Sequence, residues 1–207
     1  MIRSAQLRSV VLLCVWALSV AVAEAQSMVG GRGPVPPPVL QDPTGLFQER
    51  YATIGDDLFI GGQPTEKALR ELKAKGVTTV VNLRMPQEMA RVGFDEAALL
   101  GELGIEYVHL PLNGSGGNAY APAALDRFAS VLESAKGKVL LHCTVAWRAS
   151  HLWGAYLIRE RKMPVGEALT QARAINLRDD RPFGNQQPIE GFLGRTLPEL
   201  LRPKPQR

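Results

Sequence analysis

The chain has 207 residues, of which 45% are hydrophobic and 21% charged, with a formal net charge of +4. This length predicts one domain. Basic residues are scattered along the chain and aromatic residues make up only 6% of it, so the basic stripe with interleaved aromatics that typifies nucleic-acid-binding proteins is missing. We therefore expect no nucleic-acid partner and, from the modest positive balance, a preference for anionic ligands.

Residues 1–25 are typical of a secretory signal peptide. Arg3 and Arg8 provide the positive start, residues 10–23 form an apolar run, and Ala23-Glu24-Ala25 is a small-x-small cleavage site. The apolar run is shorter than the roughly 20 residues that a membrane-spanning helix needs. We therefore expect cleavage, a periplasmic or secreted protein, and no stable membrane insertion afterwards.

Removal of the signal leaves a single cysteine. Cys14 lies within the signal, so the mature chain keeps only Cys143 and cannot form an intramolecular disulfide. A lone cysteine in an exported protein is either a reactive thiol or a small buried apolar residue. Composition alone favours the second interpretation.

The remaining chain divides by composition. Residues 26–43 are rich in glycine and proline and predict an extended linker. Residues 202–207 predict a similar tail. The compact domain is therefore expected over residues 44–201.

Strand and helix patterns alternate through this domain. The order is a hairpin over residues 51–62, a helix after the cap Thr65, a buried strand over 77–83, a helix over 94–103, a strand over 105–112, a flexible loop over 113–121, a helix from Pro122 to 136, a buried strand over 138–142, an apolar helix over 149–161 and a last helix over 164–176. Such alternation predicts an α/β fold with a mostly parallel central sheet flanked by helices. Ligands of such sheets bind beyond the carboxyl ends of the strands.

Cys143 follows a buried strand at that edge, and Arg148 opens the helix after it. A strand-loop-helix turn directs backbone N–H groups into the loop, and the positive end of the helix adds to them, so the thiolate form of the cysteine is stabilised. The arginine fork can bind two oxygens of a phosphate or similar anion. We therefore interpret Thr144, Val145, Ala146 and Trp147 as an anion-binding loop between a nucleophile and a cation. The alternative, a core cysteine beside a surface arginine, explains an arginine in a first helical turn poorly.

The spacing Cys143–Arg148 and several other blocks resemble a known family. Four residues separate the two, one fewer than in most protein tyrosine and dual-specificity phosphatases, and this resembles the phosphatase-like domain called beta-lactamase-hydrolase-like. The blocks "LFIGGQPTEKALRELKAKGVTTVVNLR", "GIEYVHLPL", "VLLHC" and "HLWGAYLIRERKMPVGEALTQARAINL" carry the resemblance from about residue 51 to 177. It implies a cysteine-based phosphatase fold, with His142 supporting the loop; the alternative for His142 is a strand-end side chain that bonds locally.

Some residues depart from the family pattern. Alanine stands at position 146, where the family usually has a glycine that allows a left-handed backbone, and Ala149 stands where phosphatases place a hydroxyl residue. Trp147 is bulky for a loop that admits an anion. The loop 113–121 has no carboxylate that could act as general acid, and the absence of one typically costs about 10²–10⁴ in rate.

Other polar residues have two interpretations each. Arg84 ends a strand at the predicted edge and is either a second anion contact or a surface charge; Glu88 and Asp95 are either substitute acids or, more favoured, exposed residues at helix starts. His109 and His151 favour structural roles. The three histidines and Cys143 lack metal-ligand spacing, so we expect neither a metal nor another cofactor.

Three functions follow from this pattern. The first is an exported phosphatase that acts on a small anionic or phosphorylated substrate through a cysteinyl-phosphate. The second is a rhodanese-like sulfurtransferase with a persulfide on Cys143, which the four-residue spacing also fits. The third is a non-catalytic oxyanion-binding module, favoured by Ala146, Trp147 and Ala149. Neither the substrate nor the oligomeric state follows from the sequence.

Overall fold

A computed structural model describes residues 33–178 and 187–202 of the chain. The predicted signal peptide, residues 26–32 of the predicted linker and residues 203–207 of the predicted tail lie outside this part. Within it, no helix has the length and apolar character to cross a membrane.

The described residues form an α/β fold, as the alternating sequence pattern predicted. The strands are β1 (Pro38–Leu40), β2 (Tyr51–Ile54), β3 (Leu58–Gly61), β4 (Val77–Asn82), β5 (Glu106–His109) and β6 (Lys138–His142). The helices are α1 (Glu66–Ala74), α2 (Pro86–Met89), α3 (Glu96–Glu102), α4 (Pro122–Ser134), α5 (Trp147–Arg159), α6 (Val165–Ile175), α7 (Pro188–Leu193) and α8 (Leu197–Leu201).

The sheet has the order β1-β2-β3-β6-β4-β5 and is mixed. Strands β3, β6, β4 and β5 are mutually parallel, whereas β1 and β2 add antiparallel pairs at one edge. Strand β6 lies between β3 and β4, so its carboxyl end is flanked by the carboxyl ends of two parallel strands. This arrangement brings the ends of β3, β4 and β6 to one place, where the topology predicts a binding site.

Strand β1 corrects the sequence-based interpretation of its region. The Pro-rich segment predicted as linker contributes Pro38–Leu40 to the sheet, where Val39 pairs with Thr53 of β2. An edge strand tolerates proline because one side of its backbone has no neighbouring strand. Ordered structure therefore begins before residue 44.

Two hydrophobic cores cover the two faces of the sheet. One contains Leu69 of α1 and Leu100 of α3 packed on Val80 and Leu140. The other contains residues of α4, α5, α6 and α7 packed on the opposite side, with Leu141 and Cys143. Alternation along β6 therefore sends Leu140 to one core and Leu141 to the other, as expected for a strand buried on both faces.

Candidate active site

The site is built on the turn between β6 and α5. Strand β6 ends at His142, Cys143 follows, and α5 begins at Trp147, two residues earlier than the sequence pattern predicted. Ala146, immediately before the helix, has φ +64° and ψ 0°. This left-handed conformation costs a non-glycine residue about 1–2 kcal/mol. The predicted strain at Ala146 is thus present, and the turn it makes places Arg148 in the first turn of α5.

Cys143 lies deep in this turn. It is 1% exposed, and its backbone N–H donates to the carbonyl of Gly61 at the end of β3 (3.3 Å). The backbone N–H groups of Thr144 and Val145 have no hydrogen-bond acceptor among the described residues. The loop therefore keeps unpaired donors beside the sulfur, which is the arrangement that an oxyanion-binding turn requires.

Arg148 folds back over the same turn. Its Nη1 donates to the carbonyls of Leu83 (3.2 Å) and Leu112 (2.9 Å), which follow β4 and β5. Its Nη2 donates to Thr144 Oγ1 (3.0 Å). Burial would lower the pKa of Arg148, but its hydrogen bonds with Glu88 and the nearby charge of Cys143 raise it. The sulfur and the guanidinium thus share one electrostatic environment.

Glu88 is the acidic partner of this arginine. Oε2 accepts from Nη1 of Arg148 (2.8 Å) and from the N–H of Met85 (2.7 Å), while Oε1 accepts from Nη2 of Arg148 (2.7 Å) and from Thr144 Oγ1 (2.8 Å). Burial would raise the pKa of Glu88, but these hydrogen bonds lower it to about 2. Glu88 does lie in the first turn of α2, but the interpretation of it as an exposed carboxylate is wrong, since it lies inside the site. An acid with this pKa is ionised at neutral pH and is no proton donor there.

Arg84 is buried beside this pair. It is 7% exposed; Nη1 donates to Gln63 Oε1 (2.5 Å) and Nη2 to the carbonyl of Glu88 (3.1 Å). Its Nε is buried without a hydrogen-bond partner and lies 4.0 Å from Glu88 Oε1. The interpretation as a solvated surface charge is therefore wrong. Burial lowers the pKa of Arg84, although the Glu88 charge raises it.

A polar network lies behind the nucleophile. His142 is fully buried, and its Nε2 lies 3.0 Å from Oε1 of Glu96, a residue that is 2% exposed in α3. Asn82 Nδ2 donates to the same oxygen (3.0 Å), and Gln63 Nε2 donates to Oε2 (2.6 Å). Burial would raise the pKa of Glu96, but His142 and these donors lower it. The Glu96 carboxylate therefore connects residues at the ends of three parallel strands. The sequence patterns did not identify Glu96 as part of the site.

Three residues outside the loop also hold it in place. The N–H of Gln63 donates to the carbonyl of Thr144 (2.9 Å), and Gly62 pairs with Val145. Asn176, at the end of α6, donates from Nδ2 to the carbonyl of Val145. The Gly62-Gln63-Pro64 turn thus shapes the loop rather than serving only as a turn. Asn176 was not predicted; its one signal was a place near the end of the resembling block that closes with "ARAINL".

The remaining predicted residues have structural roles. Asp95 caps α3 by accepting from Ala98 N (3.0 Å), and His109 Nε2 lies 2.7 Å from the carbonyl of Arg84. His151 is fully buried, packs edge-on against Trp147 with 4.8 Å between ring centroids, and has no partner for either ring nitrogen among the described residues. Burial lowers the pKa of His151 to about 3. These residues agree with the structural interpretation given to them.

The loop before α4 offers a phenol and no carboxylate. Tyr120 lies in this loop. Burial raises its pKa to about 12, against the opposing effect of Arg148, and the charges of Cys143 and Glu88 raise it further. Tyr120 therefore lies close enough to the site to sense three of its charged groups. In the described ranges, no group of three or more His, Cys, Asp or Glu side chains could hold a metal ion.

Comparisons with known proteins agree with this fold. The family model described as DSP-PTPase phosphatase fused to NAD+ kinase matches residues 51–187. The crystal structure of TpbA from P. aeruginosa is similar over 82% of this chain and 96% of that chain, with 20% identity and a TM-score of 0.57. A TpbA variant with serine in place of cysteine, solved in complex with pTyr, has 19% identity and the same TM-score and coverage. PTPMT1 is similar over 70% of this chain and 92% of that chain, with 18% identity and a TM-score of 0.54. At this level of identity the likeness shows a shared fold. The chain has no significant match among curated proteins.

Proposed function

The chain belongs to the family of DSP-PTPase phosphatases that the 51–187 match defines, and we propose that it is an exported phosphatase that hydrolyses phosphate monoesters through a cysteinyl-phosphate. The predicted resemblance to tyrosine and dual-specificity phosphatases is confirmed at the level of family and fold. The observation that carries the proposal is the placement of Cys143 and Arg148 at the two ends of one tight turn between β6 and α5.

Substrate binding would use the groups that the loop leaves available. Both terminal nitrogens of Arg148 are engaged, whereas its Nε has no acceptor among the described residues. A phosphoryl group in the loop would take this Nε–H, the N–H groups of Thr144 and Val145, and the Nη2 hydrogen that Thr144 Oγ1 now accepts. Glu88 stays on the opposite edge of the guanidinium and orients it. Such fixed donors stabilise the charge of the transferring phosphoryl group without reorganisation.

The reaction would proceed in two displacements. The Cys143 thiolate attacks phosphorus, an S–P bond forms and the P–O bond to the leaving group breaks, with the electron pair departing on the leaving oxygen. Water then attacks phosphorus, the S–P bond breaks, and inorganic phosphate and the thiolate are released. An aryl phosphate is the suitable first substrate because a phenolate leaves without assistance from an acid, and neither Glu88 nor the 113–121 loop supplies one.

The test compares the purified protein with Cys143→Ser. We expect turnover of p-nitrophenyl phosphate by the first and none by the second, and a mass increase of one phosphoryl group on Cys143 after rapid acid quench. Arg148→Lys is the matched variant for the cation, because lysine keeps the charge but loses the planar fork. Equal turnover by the wild type and Cys143→Ser would refute the mechanism.

Sulfur transfer is a second candidate, favoured by the four-residue spacing and the loop without a carboxylate. It predicts transfer of sulfur from thiosulfate to cyanide and a mass increase of one sulfur on Cys143. The non-catalytic alternative predicts sulfate binding that survives Cys143→Ser and is lost in Arg148→Ala. The wild type and these two variants thus separate all three functions.

Export rests on residues 1–25, which the structure does not describe. We expect the periplasmic or secreted fraction to contain a chain that begins at Gln26, because Ala23-Glu24-Ala25 precedes it. Mass spectrometry of the protein from each cell fraction tests this. Recovery of the intact chain with Met1 in the cytoplasm would overturn it.

A further inference from the structure

A cleft of about 670 Å³ lies beside the cysteine loop. We call it the cationic cleft and define it by Phe47, Gln63, Lys67, Arg84, Arg91 and Phe94, which line it. A volume of this size is within the range of small-molecule and peptide-side-chain sites. None of the loop residues Cys143 to Arg148 lines it, so it is separate from the phosphoryl site.

The lining carries an excess of positive charge. Lys67, Arg84 and Arg91 line the cleft with a single acidic residue, Glu66. From outside the lining, Glu71 lies 3.9 Å from Lys67 Nζ and Glu88 lies 4.0 Å from Arg84 Nε. Arg91 is exposed and has no ion pair or side-chain hydrogen bond with the described residues. Such a cluster of cations in a concavity attracts an anionic group.

Two sets of N–H donors add to this charge. The cleft includes the start of α1, where Thr65 Oγ1 caps Ala68 N, and the earlier N–H groups of Glu66 and Lys67 are left without an intrahelical acceptor. Arg84 lines the cleft, is 7% exposed, and has a buried Nε–H without an acceptor. This Nε lies 4.0 Å from Glu88 Oε1, close to that charge but beyond hydrogen-bond distance.

Part of the wall is apolar. Phe47 and Phe94 line the cleft with Leu46, Pro64 and Val92. A free inorganic anion would leave these surfaces uncovered. The lining therefore suits an anionic group that is joined to an apolar or aromatic one.

The cleft and the cysteine loop share a wall. Gln63 lines the cleft while its backbone N–H donates to Thr144 in the loop (2.9 Å). Arg84 lines the cleft while its Nη2 donates to the carbonyl of Glu88 (3.1 Å), and Glu88 holds Arg148. Gln63 and Arg84 thus lie between the two sites, which places the cleft next to the phosphoryl site.

We propose that the cationic cleft binds an acidic and aromatic peptide segment that flanks the phosphorylated residue of the substrate. This proposal rests on the proposed phosphatase function for the identity of the substrate. The carboxylate would lie against Arg91, Lys67 and the start of α1. The aromatic ring would pack between Phe47 and Phe94.

The test measures binding to Cys143→Ser, which removes turnover. The probes are two nine-residue phosphotyrosine peptides, one with Glu-Phe and the other with Gln-Phe on each side of the phosphotyrosine. We expect the glutamate peptide to bind roughly tenfold more tightly, and this advantage to vanish in the added double substitution Lys67→Gln and Arg91→Gln. Arg70→Gln is the control, since Arg70 is an exposed cation of α1 outside the cleft. Equal binding of the two peptides, or an equal loss in the Arg70→Gln control, would overturn the proposal.

A second arm separates this proposal from the proposed function. The glutamate peptide without phosphate is titrated onto the wild-type protein, where its binding must show the same dependence on Lys67 and Arg91. Turnover of p-nitrophenyl phosphate must be unchanged in Arg91→Gln. Peptide binding without any turnover would refute the phosphatase function alone, whereas turnover without a preference for the acidic peptide would refute the cleft proposal alone.

Discussion

Glu88 and Arg148 form a bidentate ion pair, with 2.8 Å between Oε2 and Nη1 and 2.7 Å between Oε1 and Nη2. The two residues follow neighbouring parallel strands, since Glu88 lies in α2 after β4 and Arg148 lies in α5 after β6. The pair turns the guanidinium so that its Nε edge is left for a ligand. It also compensates the unfavourable placement of a cation in the first turn of a helix.

The ion pair predicts how Glu88→Gln responds to pH. The pKa of Glu88 lies at about 2 in the folded protein, below its ordinary value of 4.5. A lowered pKa contributes stability that is present above pH 4.5 and is lost as the pH falls towards 2. At pH 7 we expect Glu88→Gln to lower the free energy of unfolding by about 1–3 kcal/mol. Urea titrations between pH 7 and 2 check this, and a difference that stays constant down to pH 2 would contradict it.

The close contacts around Gly62 predict that no side chain fits at this position beside the loop. A Cβ atom at this position would lie 1.8 Å from the carbonyl oxygen of Gln48 and 2.8 Å from that of Thr144. Because both contacts are backbone atoms, the loop must move to admit a methyl group. We expect Gly62→Ala to lower the free energy of unfolding by at least about 3 kcal/mol.

The control for Gly62 is another glycine. Gly101, within α3, has open space around it, with no neighbouring atom within 4 Å of the place that a methyl group would take. Gly101→Ala should therefore raise the free energy of unfolding by up to about 1 kcal/mol. Thermal unfolding of the two variants measures both effects. A mild effect at position 62, similar in size to that at position 101, would show that the loop is not held as described.

The left-handed backbone of Ala146 predicts that a glycine is tolerated at this position. Its φ of +64° favours glycine, so Ala146→Gly relieves strain in the folded state and offsets the greater freedom of glycine in the unfolded state. We expect the free energy of unfolding to change by less than about 1 kcal/mol. Ala149→Gly, in the first turn of the right-handed helix α5, should lower it by at least about 1 kcal/mol. Equal losses in the two variants would contradict the left-handed assignment.

The regular elements were accessible from sequence because they depend on local patterns. Thr65 accepts from Ala68 N at the start of α1, and Gly76 follows the end of that helix, as the cap signals predicted. The apolar runs gave β4 and β6, and Cys143 and Arg148 were found because they flank one turn. Each of these signals lies within a few residues of the feature that it predicts.

The residues and elements that the sequence patterns did not predict depend on contacts between distant segments. Glu88 meets Arg148 across 60 positions, and Glu96 meets His142 across 46. No local pattern distinguishes these carboxylates from the exposed acids that begin many helices. Helix α2 has only four residues, so periodicity could not reveal it. Strand β1 was missed because proline usually indicates a loop, and only its pairing with β2 makes it a strand.

Glu96 predicts a large stability effect from a small chemical change. Three side-chain nitrogens, from Gln63, Asn82 and His142, lie within 3.0 Å of its two oxygens. A glutamine has one oxygen, so its own N–H group would face one or more of these donors in a buried space. We expect Glu96→Gln to lower the free energy of unfolding by about 2–4 kcal/mol. Glu102→Gln, exposed in the same helix, is the control and should change it by less than about 0.5 kcal/mol.

His151 predicts an acid-sensitive stability that is independent of the active-site carboxylates. Burial lowers its pKa to about 3 from an ordinary value of 6.5, so the folded protein keeps the ring neutral while the unfolded chain takes up a proton. Its contribution is therefore fully present above pH 6.5 and is lost as the pH falls towards 3. At pH 5 this loss amounts to about 2 kcal/mol.

The substitution that tests this is His151→Leu. Leucine does not titrate and fills a similar volume against Trp147, and it removes two buried ring nitrogens that have no partner in the described part of the chain. We expect the variant to be at least as stable as the wild type at pH 7. At pH 5, the difference in free energy of unfolding between the variant and the wild type should be larger by about 2 kcal/mol. Urea titrations at the two pH values give the comparison. A wild-type protein that loses no more stability than His151→Leu between pH 7 and 5 would show that the ring is protonated in the folded state or reaches solvent.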